Sequence, residues 1–234
     1  MTGEGEHPAV MPLELCTRLI RCLLARTDDG PVLDPFCGAG STLLAAKKLN
    51  KRSVGIDISE DYARLSRERA ERVTSSARVD VHCADIMDVA ELLEPDSISM
   101  VLTSPPFWNV LDLKRTADER PVRTYHKAAG SLVSIGDYKK FVAALSRCFV
   151  GVHSVMKPGA PCVVEVMDLR RGPNFYPFHI DLCNGVTRRT GLYLADTIVW
   201  DRTIDYNNDK PLGWNHRWLW RRTNSYILVF RKPK

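Results

Sequence analysis

Pro31-Val32-Leu33-Asp34-Pro35-Phe36-Cys37-Gly38-Ala39-Gly40-Ser41-Thr42 is the stretch that decides how this 234-residue chain folds. A short apolar run ends in an acid, turns through two glycines and opens onto residues that continue as a helix. Strand, Gly-rich loop and helix in that order make the first βα turn of an α/β sheet. Gly38 and Gly40 permit a tight turn and close backbone approach to a ligand.

The flanking pattern extends the same reading. Apolar residues at helical spacing predict helices over 13–25, 42–49, 61–73 and 138–156. The last ends at Lys157-Pro158-Gly159, a helix stop. Short β-rich runs predict strands at 31–33, 53–57, 79–83, 98–103 and 161–167. Later runs at 193–200 and 226–230 read as an antiparallel pair at one edge. Strand and helix alternate from 31 to 167, which predicts an α/β fold, a doubly wound, mostly parallel seven-stranded Rossmann-like sheet with an antiparallel edge hairpin. The length suits one domain over 1–234.

In such sheets ligands bind beyond the carboxyl ends of the strands. Asp34 to Gly40, Asp57, Asp85 and Ser104 to Phe107 all fall at those ends. A dinucleotide loop would carry a third glycine three residues after Gly40, but Leu43 stands there, which argues against NAD or FAD. Asp57 is placed to accept hydrogen bonds from ribose hydroxyls, and Asp85 from an adenine amino group. Each acid alone has a structural alternative; Asp57 could serve as an N-cap region acid, and Ser59 is an equally good cap. As a series at three successive strand ends they favour S-adenosylmethionine (AdoMet).

The second informative stretch is Thr103-Ser104-Pro105-Pro106-Phe107-Trp108, directly after Ile98-Ser99-Met100-Val101-Leu102. By itself it could be a rigid turn after a strand. Next to a nucleoside-cofactor loop it reads as chemistry. An exocyclic base amine is a poor nucleophile because its lone pair is delocalised into the ring. The Ser104 hydroxyl and the Pro105 carbonyl can accept its two N–H bonds, with the prolines holding both acceptors rigid. Phe107 offers a flat apolar face for stacking a base. A base in a duplex must first be flipped out of the stack. No metal or covalent nucleophile is required, and Cys37 and Cys83 read as packing residues.

The remaining features bound the setting. No run of 18 apolar residues predicts a membrane span. Met1 to Glu6 lacks the character of a signal peptide. Seven cysteines without close pairs favour reduced, buried thiols in a cytoplasmic protein and give no zinc-site spacing. The net charge is +5, and residues 201–234, with eight Lys/Arg and three Asp/Glu, account for all of it. Trp214, Trp218 and Trp220 lie in the same segment. Basic residues among aromatics suit a nucleic-acid surface, against the plainer reading of a solvated tail with core tryptophans. The longest stretch without assigned structure, 109–136, contains Arg115, Arg120, Arg123, His126 and Lys127. It reads as a loop closing over substrate, or as a surface excursion.

Asp34 to Thr42 closely resembles the AdoMet loop of the amino-methylating DNA methyltransferases, the N4-cytosine/N6-adenine family. His7-Pro8-Ala9-Val10-Met11-Pro12-Leu13-Glu14-Leu15 resembles the segment preceding that loop, Thr103 to Phe107 the catalytic tetrapeptide region, and Asn224 to Lys232 the final strand. The resemblance implies AdoMet as cofactor, held by Pro12, Asp34, Phe36, Cys37, Gly38, Ala39, Gly40, Ser41, Thr42, Asp57, Ile58, Asp85, Ile86 and Ser104. It implies Ser104, Pro105, Pro106 and Phe107 as catalytic residues, with Trp108, Arg115, Arg123, Arg217, Trp218 and Arg221 as candidate substrate contacts. Serine at the first tetrapeptide position leans toward cytosine N4. The implied partner is DNA, in a restriction–modification setting. Adenine N6 in DNA and an RNA base amine remain alternatives, as does a catalytically idle nucleic-acid-binding subunit.

The order departs from many relatives: the cofactor loop precedes the catalytic loop. There is also no room for a large recognition insert. Residues 109–136, 170–189 and 201–222 are the candidate substitutes. Elements this short imply a short target, a single-stranded or RNA target, or help from a second subunit, as a homodimer or an accessory chain.

Overall fold

The computed structural model describes residues 11–25, 28–109, 131–202 and 223–234. Helix α1 (Leu13–Leu23) precedes β1 (Val32–Asp34), α2 (Ser41–Lys48), β2 (Ser53–Asp57), α3 (Glu60–Glu71) and β3 (Val79–Cys83). A 3-10 turn (Ile86–Asp88) and a short helix α4 (Val89–Leu92) lead to β4 (Met100–Thr103). Then come α5 (Tyr138–Val155), β5 (Pro161–Val166), a hairpin of β6 (Leu169–Arg171) and β7 (Asn174–Tyr176), α6 (Phe178–Thr190), β8 (Tyr193–Asp201) and β9 (Asn224–Arg231).

Seven strands form one sheet in the order β3-β2-β1-β4-β5-β9-β8, and β6-β7 form a separate two-stranded sheet. The first five are parallel, while β9 runs antiparallel to both β5 and β8. The predicted architecture is therefore present. The expected antiparallel pair forms one edge, with β8 outermost and β9 inserted between β5 and β8.

Alternation along the strands builds a layer on each face. Leu33, Val101, Cys162, Val164, Leu228 and Phe230 turn to the face packed by Phe141, Leu145 and Phe149 of α5 and Phe178, Leu182 and Val186 of α6. Val32, Met100, Leu102, Val163, Ile227 and Val229 turn to the face packed by Cys16, Leu19 and Ile20 of α1 and Ala45 and Ala46 of α2. All six residues of β5 are buried, as expected of a strand covered on both faces.

Residues 170–189, read from sequence as a recognition insert, hold two different things. The first part is the β6-β7 hairpin. The second is α6, whose buried Phe178, Leu182 and Val186 make it a core crossover helix between β5 and β8. Residues 203–222 and 110–130, with Arg115, Arg123, Arg217, Trp218 and Arg221, lie outside the described residues. No helix among the described residues is long and apolar enough to cross a membrane.

Candidate active site

The sheet order reverses direction at β1, which pairs with β2 on one side and β4 on the other. A crevice opens at such a switch point beyond the strand ends. The loop after β1 and the loop after β4 therefore lie side by side, although the sequence separates them.

Asp34 fastens them together. Its Oδ1 accepts from the Thr103 hydroxyl at 2.7 Å and from the Phe36 N–H at 3.2 Å. The Thr42 hydroxyl donates to the Leu102 carbonyl at 3.2 Å and lies against the same carboxylate. Burial raises the Asp34 carboxyl to about 6, with these hydrogen bonds pulling the other way. Asp34 is 4% exposed, so its place in the cofactor set is as a fastener of the loop rather than an open face toward a ligand.

The loop itself turns through left-handed backbone at Gly38 (φ 48°) and Gly40 (φ 79°), where a side chain is strained. At Gly40 an added Cβ would also lie 2.9 Å from Ser66 Oγ. Gly40 N–H closes the turn onto the Cys37 carbonyl at 2.7 Å. Cys37 is buried against Ser66, whereas Cys83 and Cys22 are exposed and Cys183 half-buried. The expectation of buried, packing thiols fails at Cys83, which ends the edge strand β3, and at Cys22 on the outer side of α1, while Cys183 packs against the core from α6.

Asp57 follows β2. Its Oδ2 accepts from the Gly38 N–H and its Oδ1 from the Ser59 N–H, both at 2.9 Å. The α3 N-cap, Ser59, makes no side-chain cap of its own, so Asp57 both braces the Gly-rich loop and orders the start of α3. Burial raises its pKa against those two backbone donors. Asp85 caps the 3-10 turn, its Oδ1 accepting from the Met87 N–H at 2.9 Å. Ile58 is half-buried and Ile86 buried beside these acids; Pro12 is the exposed N-cap of α1.

At the end of β4 the Ser104 hydroxyl donates to Glu165 Oε2 at 2.7 Å. Glu165, on β5, is 3% exposed, and its Oε1 has no hydrogen-bond partner among the described residues. Burial raises its pKa, opposed by Ser104, by the nearby Ser225 hydroxyl and by the Arg202 guanidinium. Sequence reasoning missed Glu165. A lone acid inside the apolar run Pro-Cys-Val-Val-Glu-Val was the available signal, because an unpaired carboxylate is rarely left in a strand buried on both faces.

Pro105 is buried and Pro106 half-buried. Phe107 is packed in the core cluster and 7% exposed. The open stacking face expected from sequence is therefore absent. Trp108 differs too: it is 2% exposed, adopts φ 51°, and donates Nε1–H to the Ile135 carbonyl at 2.8 Å. Its ring meets Tyr138 and Tyr176 edge-on at 5.5 and 5.3 Å. It is a pillar under the catalytic loop rather than a substrate contact, since its whole ring is used in packing.

Comparisons with known proteins agree with this geometry. Over more than nine-tenths of the chain the fold is similar to that of solved AdoMet-dependent methyltransferases. A SAM-dependent methyltransferase from Methanosarcina mazei matches with a TM-score of 0.59 at 15% identity, over 92% of this chain and 97% of its own. One from Listeria monocytogenes matches with a TM-score of 0.53 at 12% identity, over 94% of this chain and 100% of its own.

Within that class, residues 1–68 match the N6/N4-type DNA methylase family model. That stretch includes the Gly-rich loop after β1 and Asp57 at the end of β2. Over 68 residues it is 43% identical to the Type II methyltransferase M2.DpnII of Streptococcus pneumoniae, covering 29% of this chain and 24% of that protein. Over 70 residues it is 41% identical to M.ScaI of Streptomyces caespitosus, covering 30% and 22%. The match thus spans about a quarter of these relatives' length.

Proposed function

We propose that this chain, as one domain over 1–234, transfers a methyl group from AdoMet to the exocyclic amine of a base in DNA, with cytosine N4 the favoured acceptor. The observation that carries the reading is the Ser104–Glu165 hydrogen bond at the end of β4, next to the cofactor loop. The Type II relatives favour a modification enzyme acting in the cytoplasm beside a restriction partner.

The residues present fit the cofactor. Asp57 uses one lone pair on each oxygen for backbone donors, and a carboxylate offers about four acceptor sites. Two remain for vicinal ribose hydroxyls. Asp85 uses Oδ1 for the Met87 N–H, which leaves acceptor capacity for an adenine amino group. When bound, AdoMet supplies an electrophilic methyl group on a cationic sulfonium.

The chain's own residues prepare the amine. Because Ser104 gives its hydrogen to Glu165, its Oγ lone pairs are left to accept one base N–H. The Pro105 carbonyl accepts the second, and the prolines hold both in place before the base arrives. As the new N–C bond forms, the amine must lose a proton. Ser104 takes it up while passing its own hydrogen to Glu165 Oε2, so one carboxylate is consumed and the hydroxyl is regenerated. Burial makes Glu165 a stronger base than a free carboxylate.

The test is methyl-labelled AdoMet with unmethylated duplex DNA, single-stranded DNA and total RNA, followed by nucleoside mass spectrometry. N4-methylcytosine in DNA is the expected product. N6-methyladenine would move the acceptor base, and label in RNA alone would overturn the DNA reading. Ser104→Ala, assayed at saturating AdoMet, should lose turnover by about 10²-fold or more. Intact turnover would remove Ser104 from the mechanism.

A further inference from the structure

The hairpin β6-β7 lies beyond the carboxyl end of β5 and is fixed to the catalytic loop. Its two ends are clamped at the base. Asp168, 5% exposed, precedes β6, and its Oδ1 accepts the His179 backbone N–H at 3.3 Å and lies 2.6 Å from His179 Nδ1. His179 follows β7 and stacks on Tyr226 with ring centroids 3.7 Å apart. From the hairpin, Tyr176 meets the Trp108 ring, and the Arg171 guanidinium sits over that ring at 5.4 Å. Trp108 is the residue after the Ser-Pro-Pro-Phe sequence, so the hairpin and the catalytic loop share one pillar.

Its outer end has a different character. Residues 169–176 contain two arginines and no acid. Phe175 is 47% exposed, with the Arg170 guanidinium 5.6 Å over its ring. Gly172 turns the hairpin at φ 57° with nothing within 4 Å of an added Cβ. Exposed apolar rings cost free energy in water, and here a half-exposed one lies under a single guanidinium, on the hairpin that packs against Trp108. Cations suit phosphates, and a flat apolar side chain one residue pair back from the turn suits the gap left in a base stack.

We infer that the β6-β7 hairpin is the element that enters duplex DNA beside the target base: Phe175 occupies the gap left by the flipped base, and Arg170 holds the flanking phosphate. The inference rests on the proposed function. Its chemistry follows from position: an enzyme acting on a base amine must keep the flipped base from returning to its stack, and the filler must stand next to the acceptors.

The test compares methylation rates on unmethylated genomic DNA supplied as native duplex and after heat denaturation, where bases are already unstacked. Phe175→Ala should lower the duplex-to-denatured rate ratio by about tenfold or more relative to wild type. Phe175→Trp, which retains a flat ring, should restore most of it. Using the ratio removes any general loss of folded enzyme. An unchanged ratio in Phe175→Ala overturns the role of the hairpin while leaving the proposed function standing. A wild-type enzyme that labels only denatured DNA also overturns it. A wild type that labels no DNA at all refutes the proposed function, and this inference with it.

Discussion

Glu165 and Ser104 define the chemistry at the scale of single residues. A buried carboxylate is costly to desolvate even with the Ser104 and Ser225 hydroxyls and the Arg202 guanidinium near it, and Oε1 has no hydrogen-bond partner among the described residues. A purely structural role would be served as well by an amide. Glu165→Gln keeps the shape and removes the base. It should lower kcat by about tenfold or more while leaving AdoMet affinity near the wild-type value. Wild-type kcat should rise with pH through the Glu165 ionisation, above the ordinary glutamate range, and the Gln variant should lose that limb. If the variant lowers only thermal stability and retains the limb, Glu165 is a positioning residue alone. Trp108 illustrates the neighbouring constraint. Left-handed backbone is uncommon for an aromatic residue and persists where surroundings over-determine it. Here an indole hydrogen bond and two edge-on rings do so.

The joint between β2 and α2 matters most among the elements. In a dinucleotide fold a glycine on the helix side permits close helix–strand packing. Here the small residue is on the strand. A Cβ at Gly55 would lie 2.6 Å from Leu43 Cδ1 and 3.0 Å from Cys37 Sγ. Leu43 is fully buried, so the space saved at Gly55 is filled by the leucine that replaces the third glycine. Gly55→Ala should destabilise by about 1–3 kcal/mol through overpacking, read as a lowered midpoint in denaturant. Adding Leu43→Ala to Gly55→Ala should cost less than Leu43→Ala costs the wild type, because the second change relieves the first. Strict additivity would show that the contact is not the reason for the glycine.

Buried Asp34 and Glu165 and half-buried Asp57 stand toward the carboxyl ends of β1, β5 and β2, and their combined effect belongs to the whole molecule. Burial raises Asp34 to about 6 and moves Asp57 and Glu165 in the same direction. A carboxyl whose folded pKa lies above its unfolded value binds protons more tightly when folded. Its contribution to stability is fully present below the unfolded value and is lost as pH rises through the folded one. For Asp34 the window runs from 3.8 to about 6, worth on the order of 3 kcal/mol. Asp28 opposes this only lower down: against the upward pull of burial, Ser99, the Gly30 N–H and Lys157 hold it at about 2. The ligand-free protein should therefore melt at a higher temperature at pH 5 than at pH 7.5, and Asp34→Asn should flatten that slope. A wild-type melting temperature that climbs between pH 5 and 7.5 would contradict this. A cationic ligand at these acids reverses the preference, which gives the cluster a purpose at neutral pH.

The sequence by itself determined the strand–helix alternation from 31 to 167, the closing strand pair, the two loops and the cofactor class, but not β6, β7 or α6. Those signals are local: apolar period, paired glycines that permit left-handed turns, and prolines that stiffen a strand end. Tertiary structure alone decided which residues meet. Asp34 reaches Thr103 across 69 positions, and Ser104 reaches Glu165 across 61. It also buried Phe107 and Trp108, expected to face substrate, and made α6 a core helix. Such outcomes follow from sheet order and from competition for covered surface. Parallel strands that neighbour each other in the sheet can be distant in the chain, so a partner across the sheet leaves no periodic trace near the residue it serves.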